Sequence, residues 1–231
     1  MARIEIDEVT VTAPAADGDV TILHDISATL TEHRIALIGA NGSGKSTLAR
    51  LVNGLVSPTA GRVTVDSMDV AEHGAAVRRR VGFVFTHPVA QLVMPTVLED
   101  VALSLRRSIP DKAERDAKAR EVIEAFGLGD RATASVHALS GGQQQLLALA
   151  GVLATDPSIV IADEPTTLLD LRNAGAIADR LFALDQQLVL VTHDLDLAMR
   201  CDRALLIDDG RIAYDGEPAA AVDAYRALVS R

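Results

Sequence analysis

A glycine-rich loop between an apolar segment and a helix constrains the fold of this chain more than any other feature. The loop reads Gly-Ala-Asn-Gly-Ser-Gly-Lys-Ser over residues 39–46 and fits the phosphate-loop pattern G-x-x-x-x-G-K-[ST]. The apolar residues 34–38 before it predict a short strand, and residues 46–56 after it predict a helix. A strand that enters such a loop and continues into a helix is typical of α/β folds. The segment therefore predicts an α/β fold that holds an anionic ligand.

The chemistry of this loop points to the phosphates of a nucleotide. Its glycines let backbone N–H groups turn toward phosphate oxygens, and the helix N-terminus adds its positive dipole end. The Lys45 ammonium is expected to reach the β- and γ-phosphates, and the Ser46 hydroxyl is expected to coordinate Mg²⁺. The candidate phosphate-binding residues are Gly39, Asn41, Gly42, Ser43, Gly44, Lys45, Ser46 and Thr47.

Two acids end an apolar segment that reads Ser-Ile-Val-Ile-Ala-Asp-Glu over residues 158–164. The apolar residues predict a buried strand, and its end carries Asp163 and Glu164. Asp163 is expected to hold Mg²⁺ directly or through water. Because side chains alternate along a strand, Glu164 is expected to face the other way, toward the open side of the site. There it would polarise an attacking water as a general base.

His193 directly follows another apolar segment, residues 188–192. Ligands bind at the carboxyl edge of sheets in such folds, and this predicted strand is expected to lie near the one that ends in Asp163. An imidazole at that edge can donate to the γ-phosphate and orient Glu164 and the water. Lys45, Glu164 and His193 are the candidate catalytic residues.

A pentapeptide, Leu-Ser-Gly-Gly-Gln at residues 139–143, precedes a predicted helix at residues 143–154. The amides of Ser140, Gly141, Gly142 and Gln143, together with the Ser140 hydroxyl, would form a second anion-binding helix N-terminus. One nucleotide does not need two such cradles from one subunit. The pentapeptide therefore predicts that this cradle serves the γ-phosphate held by a partner subunit.

The pattern of predicted elements indicates one domain over residues 1–231. The first third alternates like β-strands, the middle is helical, and the rest alternates between strands and helices. Alternation of that kind implies a mostly parallel sheet covered on both faces. We expect one α/β core with a β-rich edge and a helical lobe at about residues 86–150.

Composition excludes several other classes of protein. Hydrophobic residues make up 48% of the chain, which is enough for a sizeable core. The net charge of −10 argues against binding to nucleic acid, which needs a positive surface. The longest apolar stretch, residues 146–154, is about half as long as a membrane span, and residues 1–6 do not resemble a signal peptide. A cytosolic chain is expected.

Taken together, these motifs resemble the ATP-binding subunit of an ABC transporter. The resemblance identifies residues 39–46 as Walker A, residues 139–143 as the signature, residues 159–164 as Walker B, residues 167–170 as the D-loop and His193 as the switch. It runs from about residue 3 to residue 217. It implies a P-loop NTPase fold of the ABC ATPase type, with a β-rich edge subdomain and a helical subdomain. It also implies ATP and Mg²⁺ as ligands, and an ATP-clamped dimer.

A finer resemblance lies in residues 81–92 and 95–102, which read VGFVFTHPVAQL and PTVLEDVA. They are similar to a stretch of the energy-coupling factor (ECF) importers for cobalt, nickel, biotin and vitamins. This resemblance implies a transmembrane coupling protein, a separate membrane protein that binds the micronutrient, and a peripheral position on the cytoplasmic face of the membrane. The chain stops soon after the core, without the C-terminal extension frequent in shared-module ECF ATPases, so the resemblance implies a dedicated system, with biotin ahead of cobalt or nickel. A homodimer suffices for the site, and a heterodimer stays open.

The chain departs from the family at several positions. Thr86 replaces the Q-loop glutamine, and threonine can still coordinate Mg²⁺ but is too short to reach as glutamine does. The adenine-stacking aromatic residue of the family falls near Ala13, and the small D-loop residue falls on Leu168. The resemblance leaves the catalytic residues in place.

Other classes of P-loop protein fit the sequence less well. Soluble ABC ATPases that act on DNA or ribosomes need a long coiled-coil insertion or two cassettes. A kinase or GTPase-like switch has no use for residues 139–143 or for His193. A regulatory module that does not hydrolyse ATP conflicts with Glu164.

Overall fold

The computed structural model describes residues 2–16 and 18–230. The chain divides into two compact units. The first contains Met1–Val81, Ser158–Glu164 and Leu184–Arg231, and the second contains Gly82–Pro157 and Pro165–Ala183. The predicted helical lobe falls within residues 82–157 of the second unit. That the two units together form a single ATPase domain stays a prediction.

The strands lie mainly in the first unit. They are β1 (Ile4–Ala15), β2 (Gly18–Leu30), β3 (Arg34–Ile38), β4 (Ala60–Val65), β5 (Met68–Asp69), β6 (Val81–Val84), β7 (Ile159–Asp163), β8 (Gln187–Val191), β9 (Arg203–Asp208) and β10 (Arg211–Gly216). The β-rich edge is an antiparallel sheet in the order β2-β1-β4-β5. In the second sheet, the strands of the first unit follow the order β10-β9-β3-β8-β7.

Three neighbouring strands of the second sheet run parallel and are completely buried. Every residue of β3, β7 and β8 is buried, as expected for strands covered on both faces. In their parallel register, Leu37 of β3 lies opposite Val191 of β8, which lies opposite Asp163 of β7. The carboxyl ends of the three strands therefore meet at one edge, where the segments starting at Gly39, Glu164 and Thr192 leave the sheet.

The helices are α1 (Lys45–Asn53), α2 (Gly74–Arg80), α3 (Val97–Leu105), α4 (Lys112–Ala125), α5 (Gly141–Leu153), α6 (Leu171–Phe182), α7 (Leu195–Ala198) and α8 (Pro218–Val229). Short 3₁₀ turns lie at Pro88–Ala90, Gly129–Arg131 and Val136–Ala138. Within the described ranges, no helix has the length and apolar character that a membrane span requires.

The second unit has its own hydrophobic core between α3, α4 and α5. Buried side chains from these helices and their connections form one cluster, which includes Val101, Ile123 and Leu147 at 0% exposure. Leu139 belongs to this core and directly precedes Ser140, so the core anchors the segment that leads into α5 within the second unit.

Two leucines of the second unit give a matched test of this core. Leu147→Ala should lower the free energy of unfolding by about 2–5 kcal/mol, because Leu147 is completely buried and its removal leaves a cavity. Leu103 is 39% exposed, so Leu103→Ala should cost less than about 1 kcal/mol. Urea denaturation followed by circular dichroism measures both. Equal losses for the two variants would contradict the assigned core.

Candidate active site

The glycine loop begins where β3 ends and packs closely against β9. Gly39 has φ 144°, a conformation that only glycine adopts without strain. A Cβ atom on Gly39 would lie 2.1 Å from the carbonyl oxygen of Ile207, so any side chain here would collide with the backbone of β9. The loop therefore reaches the sheet edge only because residue 39 is glycine.

Lys45 holds the loop in its curved form. It is the first residue of α1, which begins one residue earlier than the sequence predicts, and its side chain is only 5% exposed. Its Nζ atom donates to the carbonyl oxygens of Gly39 at 2.9 Å and Ala40 at 2.7 Å. An ammonium has three N–H groups, so it can donate to a phosphate oxygen as well.

The charge of Lys45 is balanced by acids at the same sheet edge. Burial lowers the pKa of its ammonium, and the nearby carboxylates of Glu164 and Asp163 oppose that shift. A buried ammonium is stable only beside opposite charge, and the triphosphate of ATP would supply more. The electrostatics of the loop thus favour an anionic ligand.

A buried hydroxyl also fits an anion at this loop. Among the residues that the structure describes, the buried Ser43 Oγ has no hydrogen-bond partner, and it lies 3.0 Å from the Cβ position of Gly39. An unsatisfied buried hydroxyl costs about 1–3 kcal/mol, and a phosphate oxygen can accept a hydrogen bond from it. The predicted set of phosphate-binding residues stays a prediction, but the donors of the loop suit a phosphate chain.

Asp163 and Ser46 form the candidate Mg²⁺ site. Asp163 ends β7 and is 1% exposed, and the Ser46 hydroxyl donates to its Oδ1 atom at 2.7 Å. A carboxylate and a hydroxyl are the oxygen ligands that Mg²⁺ accepts in phosphate sites, so the donor set fits this ion. Across the described part of the chain, no three His, Cys, Asp or Glu side chains come together as a metal site.

Sequence reasoning did not find Arg50, which also contacts Asp163. Its Nη2 atom donates to the Oδ2 atom of Asp163 at 3.2 Å. Arg50 lies four residues after Ser46 on α1, so the two side chains share a face of the helix. That spacing was the available signal. Each oxygen of the Asp163 carboxylate thus has its own partner, which fixes the orientation of the carboxylate.

Glu164 has a conformation that the alternation of a strand does not explain. Its φ is 51°, so β7 ends at Asp163 and the backbone turns into the left-handed region. Such a conformation costs about 1–3 kcal/mol in a residue with a side chain, and it is often found at functional sites. The Glu164 amide donates to the carbonyl of Val191 at 3.0 Å, which holds this turn against β8. The direction of the side chain is set by this turn rather than by strand alternation.

His193 and Glu164 are brought together at the sheet edge, as the sequence predicts. The Nδ1 atom of His193 lies 2.8 Å from the Oε2 atom of Glu164. Because an ionised carboxylate only accepts hydrogen bonds, Nδ1 carries the proton in this contact. The Glu164 side chain is 15% exposed and that of His193 is 54% exposed, so the pair lies at the surface of the first unit.

Thr192 fixes the position of the histidine. Its amide donates to the carbonyl of Leu37 at 3.1 Å, and its hydroxyl accepts from the amide of Asp194 at 2.9 Å. Thr192 is itself completely buried. The chain therefore leaves β8 along one path, which places the imidazole beside Glu164.

The signature residues form a capped helix start in the second unit. The Ser140 Oγ atom accepts from the Gln143 amide at 3.4 Å, and the Gln143 Oε1 atom accepts from the Ser140 amide at 3.0 Å. This is a capping box, and α5 begins at Gly141, two residues earlier than the sequence predicts. The Ser140 hydroxyl still has its own proton to donate to an anion. Whether these residues bind a partner's nucleotide stays a prediction.

Two glutamines hold the segment before Thr86. The Gln91 Oε1 atom accepts from the Phe85 amide at 3.3 Å, and the Gln145 Nε2 atom donates to the Phe85 carbonyl at 3.4 Å. Gln145 is 1% exposed and escaped sequence reasoning, because nothing in its own neighbourhood marks it. Thr86 shares a pocket of the second unit with Gly141 and Leu168. Its predicted contact with Mg²⁺ stays a prediction.

Comparison with known proteins assigns the family. A family model described as "ABC transporter" matches residues 23–167, which include the glycine loop, residues 139–143 and Asp163. The chain belongs to the ABC transporter family. The predicted resemblance and the predicted ABC ATPase fold are thereby confirmed. The ATP-binding subunits of this family are ATPases, so the predicted class of enzyme and its nucleotide, ATP, are confirmed as well.

Several relatives resemble this ABC ATP-binding chain over most of their length. It is 47% identical to a protein of Deinococcus radiodurans that is named as an ABC transporter ATP-binding protein, over 89% of this chain and 91% of that protein. It is 41% identical to the biotin transport ATP-binding protein BioM of Rhizobium etli, over 90% of this chain and 92% of that protein. It is 37% identical to the energy-coupling factor transporter ATP-binding protein EcfA1 of Lactiplantibacillus plantarum, over 98% of this chain and 83% of that protein.

Two solved structures share the fold of this ABC protein. One is the dimeric ATP-binding cassette MJ0796 in a post-hydrolysis state bound to ADP and phosphate, with a TM-score of 0.84 and 30% identity over 93% of this chain and 98% of that one. The other is cbiO1 from Clostridium perfringens, part of the ABC transporter complex cbiONQ. Its TM-score is 0.81, with 28% identity over 98% of this chain and 92% of that one.

Two glycines of the loop give a test of its packing. Gly39→Ala should abolish ATP binding or folding, because the added Cβ collides with the backbone of β9. Gly42 has φ 78°, but a Cβ there meets no atom within 4 Å in the described part of the chain. Gly42→Ala should therefore lower the free energy of unfolding by only about 1–2 kcal/mol, the cost of a left-handed backbone conformation in a residue with a side chain. Thermal unfolding and binding of a fluorescent ATP analogue measure both, and equal effects would contradict the close approach at Gly39.

Proposed function

We propose that this chain is the ATP-hydrolysing subunit of an ECF-type importer, with biotin as the transported micronutrient. The observation that carries the hydrolytic role is the contact of Glu164 with His193 at the edge that also holds Lys45 and Asp163. These groups supply a base, an orienting imidazole, a cation and a metal ligand in one place. Both compact units are proposed to belong to a single ATPase domain over residues 1–231.

The catalytic residues would act on the γ-phosphate of ATP. Lys45 donates to the phosphate oxygens and stabilises their charge as the bond to ADP breaks. Glu164 accepts a proton from the water as its oxygen attacks the γ-phosphorus, and the products are ADP and phosphate. His193 holds the Glu164 carboxylate through Nδ1 and limits its rotation, so that the base stays directed at the water.

Asp163 and Ser46 would hold Mg²⁺ beside the phosphates. When bound, the ion neutralises charge on the β- and γ-phosphates. Arg50 donates to Oδ2 of Asp163, so Oδ1, which accepts from the Ser46 hydroxyl, would be the oxygen available to hold the ion. Thr86 is proposed as a further ligand in place of the glutamine of the family.

A second copy of the chain would complete each site. The ATP on residues 39–47 of one subunit would contact Ser140, Gly141, Gly142 and Gln143 of the other, and two ATP molecules would close the dimer. The dimeric state of the similar cassette MJ0796 supports this arrangement. Hydrolysis removes the γ-phosphate contact, and the dimer reopens. A homodimer suffices, because one chain carries both halves of the site.

The names of the relatives support the importer class. BioM of Rhizobium etli is a biotin transport protein, EcfA1 is an ECF transporter protein, and cbiO1 is part of the cbiONQ complex. We therefore propose a transmembrane coupling protein and a micronutrient-binding membrane protein as partners. The chain would bind peripherally at the cytoplasmic face of the membrane. Cobalt or nickel is the alternative cargo.

The proposed clamp, in which two ATP molecules hold two copies of the chain together, is tested with Glu164→Gln. This variant should lower hydrolysis by about 10²–10⁴-fold, because an amide cannot accept the proton of the water. It should also trap an ATP-bound dimer, which size exclusion with light scattering detects. Glu121→Gln is the matched control, since Glu121 lies exposed on α4. A Glu164→Gln chain that stays monomeric with ATP would contradict the clamp.

The cargo is tested by uptake in cells. The chain is co-expressed in a biotin auxotroph with a candidate coupling protein and candidate micronutrient-binding membrane proteins, and uptake of labelled biotin, Co²⁺ and Ni²⁺ is measured. Biotin uptake should depend on the chain and be lost with Glu164→Gln. If only Co²⁺ or Ni²⁺ were taken up, the cargo would be a metal ion and the assignment of biotin would be wrong. Failure to co-purify with any of the membrane proteins would contradict the importer class.

A further inference from the structure

The start of α5 rests on a side chain of α6 within the second unit. Gly142 is buried, and a Cβ atom on it would lie 2.7 Å from Cγ and 2.9 Å from Oδ1 of Asn173. Non-bonded carbon atoms normally lie about 3.5–4.0 Å apart, so this contact leaves no room for a side chain. At the neighbouring Gly141, a Cβ atom would meet nothing within 4 Å in the described part of the chain.

The two glycines are therefore required for different physical reasons. Gly141 faces open space, where a partner's phosphate could approach the helix N-terminus. Gly142 faces its own protein and is restricted by Asn173. A ligand that binds at the helix start accounts for a small residue at position 141, but it does not account for one at position 142.

Asn173 is itself held firmly by Asp170. The backbone N–H of Asn173 donates to Asp170 Oδ1 at 2.9 Å, and the side-chain Nδ2 of Asn173 donates to Asp170 Oδ2 at 2.7 Å. Both oxygens of this carboxylate thus bind one residue, and these bonds lower the pKa of Asp170. Asp170 is the N-cap of α6. Asn173 is a fixed surface against which α5 packs.

The capping box connects this contact to the signature residues. Ser140 and Gln143 form two hydrogen bonds with each other across Gly141 and Gly142, and these bonds link the residues of the cradle. A displacement of Gly142 by Asn173 would turn the Ser140 hydroxyl and the first amides of α5. The Asn173 side chain therefore connects residues 140–143 to the D-loop acid Asp170.

We propose that Asn173 is a positioning residue that fixes the angle of the signature cradle relative to Asp170. The inference rests on the proposed function, in which that cradle binds the nucleotide of a partner subunit. Asn173 would act through Gly142 and would not touch the nucleotide. ATP binding to residues 39–47 of the same chain would not depend on it.

The test is a suppression experiment in the Glu164→Gln chain. Gly142→Ala should weaken ATP-driven dimerisation about tenfold, because the new Cβ must push Asn173 or the helix start aside. Asn173→Ala removes Cγ and Oδ1 and leaves only its own Cβ, at 3.1 Å from the new one. The double variant should therefore dimerise as well as Asn173→Ala alone. Analytical ultracentrifugation with ATP gives the dissociation constants.

Gly141→Ala is the matched control for the suppression. Its Cβ does not approach Asn173, so its effect on dimerisation should add to that of Asn173→Ala without recovery. Binding of a fluorescent ATP analogue to the monomer should stay within about twofold of the parent in all variants. The proposal would be overturned if the Gly142→Ala/Asn173→Ala double variant dimerised more weakly than Asn173→Ala alone, or if Asn173→Ala restored dimerisation of Gly141→Ala.

Hydrogen exchange separates this inference from the clamp itself. In monomeric Asn173→Ala, backbone amides at residues 140–144 should exchange about tenfold faster, while α1, α3 and α4 should be unchanged. Faster exchange throughout the second unit would indicate a merely structural role and overturn the proposal. If the parent Glu164→Gln chain fails to dimerise, the clamp is wrong, and the exchange at residues 140–144 still decides whether Asn173 positions the cradle.

Discussion

The parallel register of three buried strands is the constraint on which the candidate active site depends. β3, β8 and β7 are covered on both faces, and their carboxyl ends meet at one edge. Lys45, Asp163 and His193 are far apart in the chain, and this register is what brings their segments together. The register is strongly determined, because a slip along β7 or β8 would move Asp163 or Thr192 away from its hydrogen-bond partners.

Charge balance is the second constraint at that edge. Lys45 and Asp163 are both almost completely buried, and neither charge would be stable there without its partners. The carbonyls of the loop, the Ser46 hydroxyl and Arg50 satisfy much of their hydrogen-bonding capacity within the first unit. The same arrangement leaves donors and acceptors suited to a phosphate chain and a divalent cation. Stability and ligand binding therefore draw on one set of interactions.

The candidate site of the second unit lies at the start of a helix rather than at the edge of a sheet, so other interactions determine its geometry. The core around Leu147 fixes α5, the capping box fixes its first turn, and Asn173 limits how that turn can lie. Gly141 and Gly142 look equivalent in the sequence, yet one faces open space and the other faces α6. In the proposed clamp, the contribution of this unit depends on the orientation of the helix start, and Asn173 takes part through packing rather than through reactive chemistry.

The sequence alone determined the features that depend on local pattern. The phosphate loop, the acids after β7, His193 and residues 139–143 all combine residue type with short-range order, and the family follows from their combination. Only the tertiary structure decided the left-handed turn at Glu164 and the contacts of Arg50, Gln145 and Asn173. These depend on which residues meet across long sequence distances and on a few tenths of an ångström in packing. Helical spacing places Arg50 on the same face of α1 as Ser46, but it does not show which residue lies opposite that face.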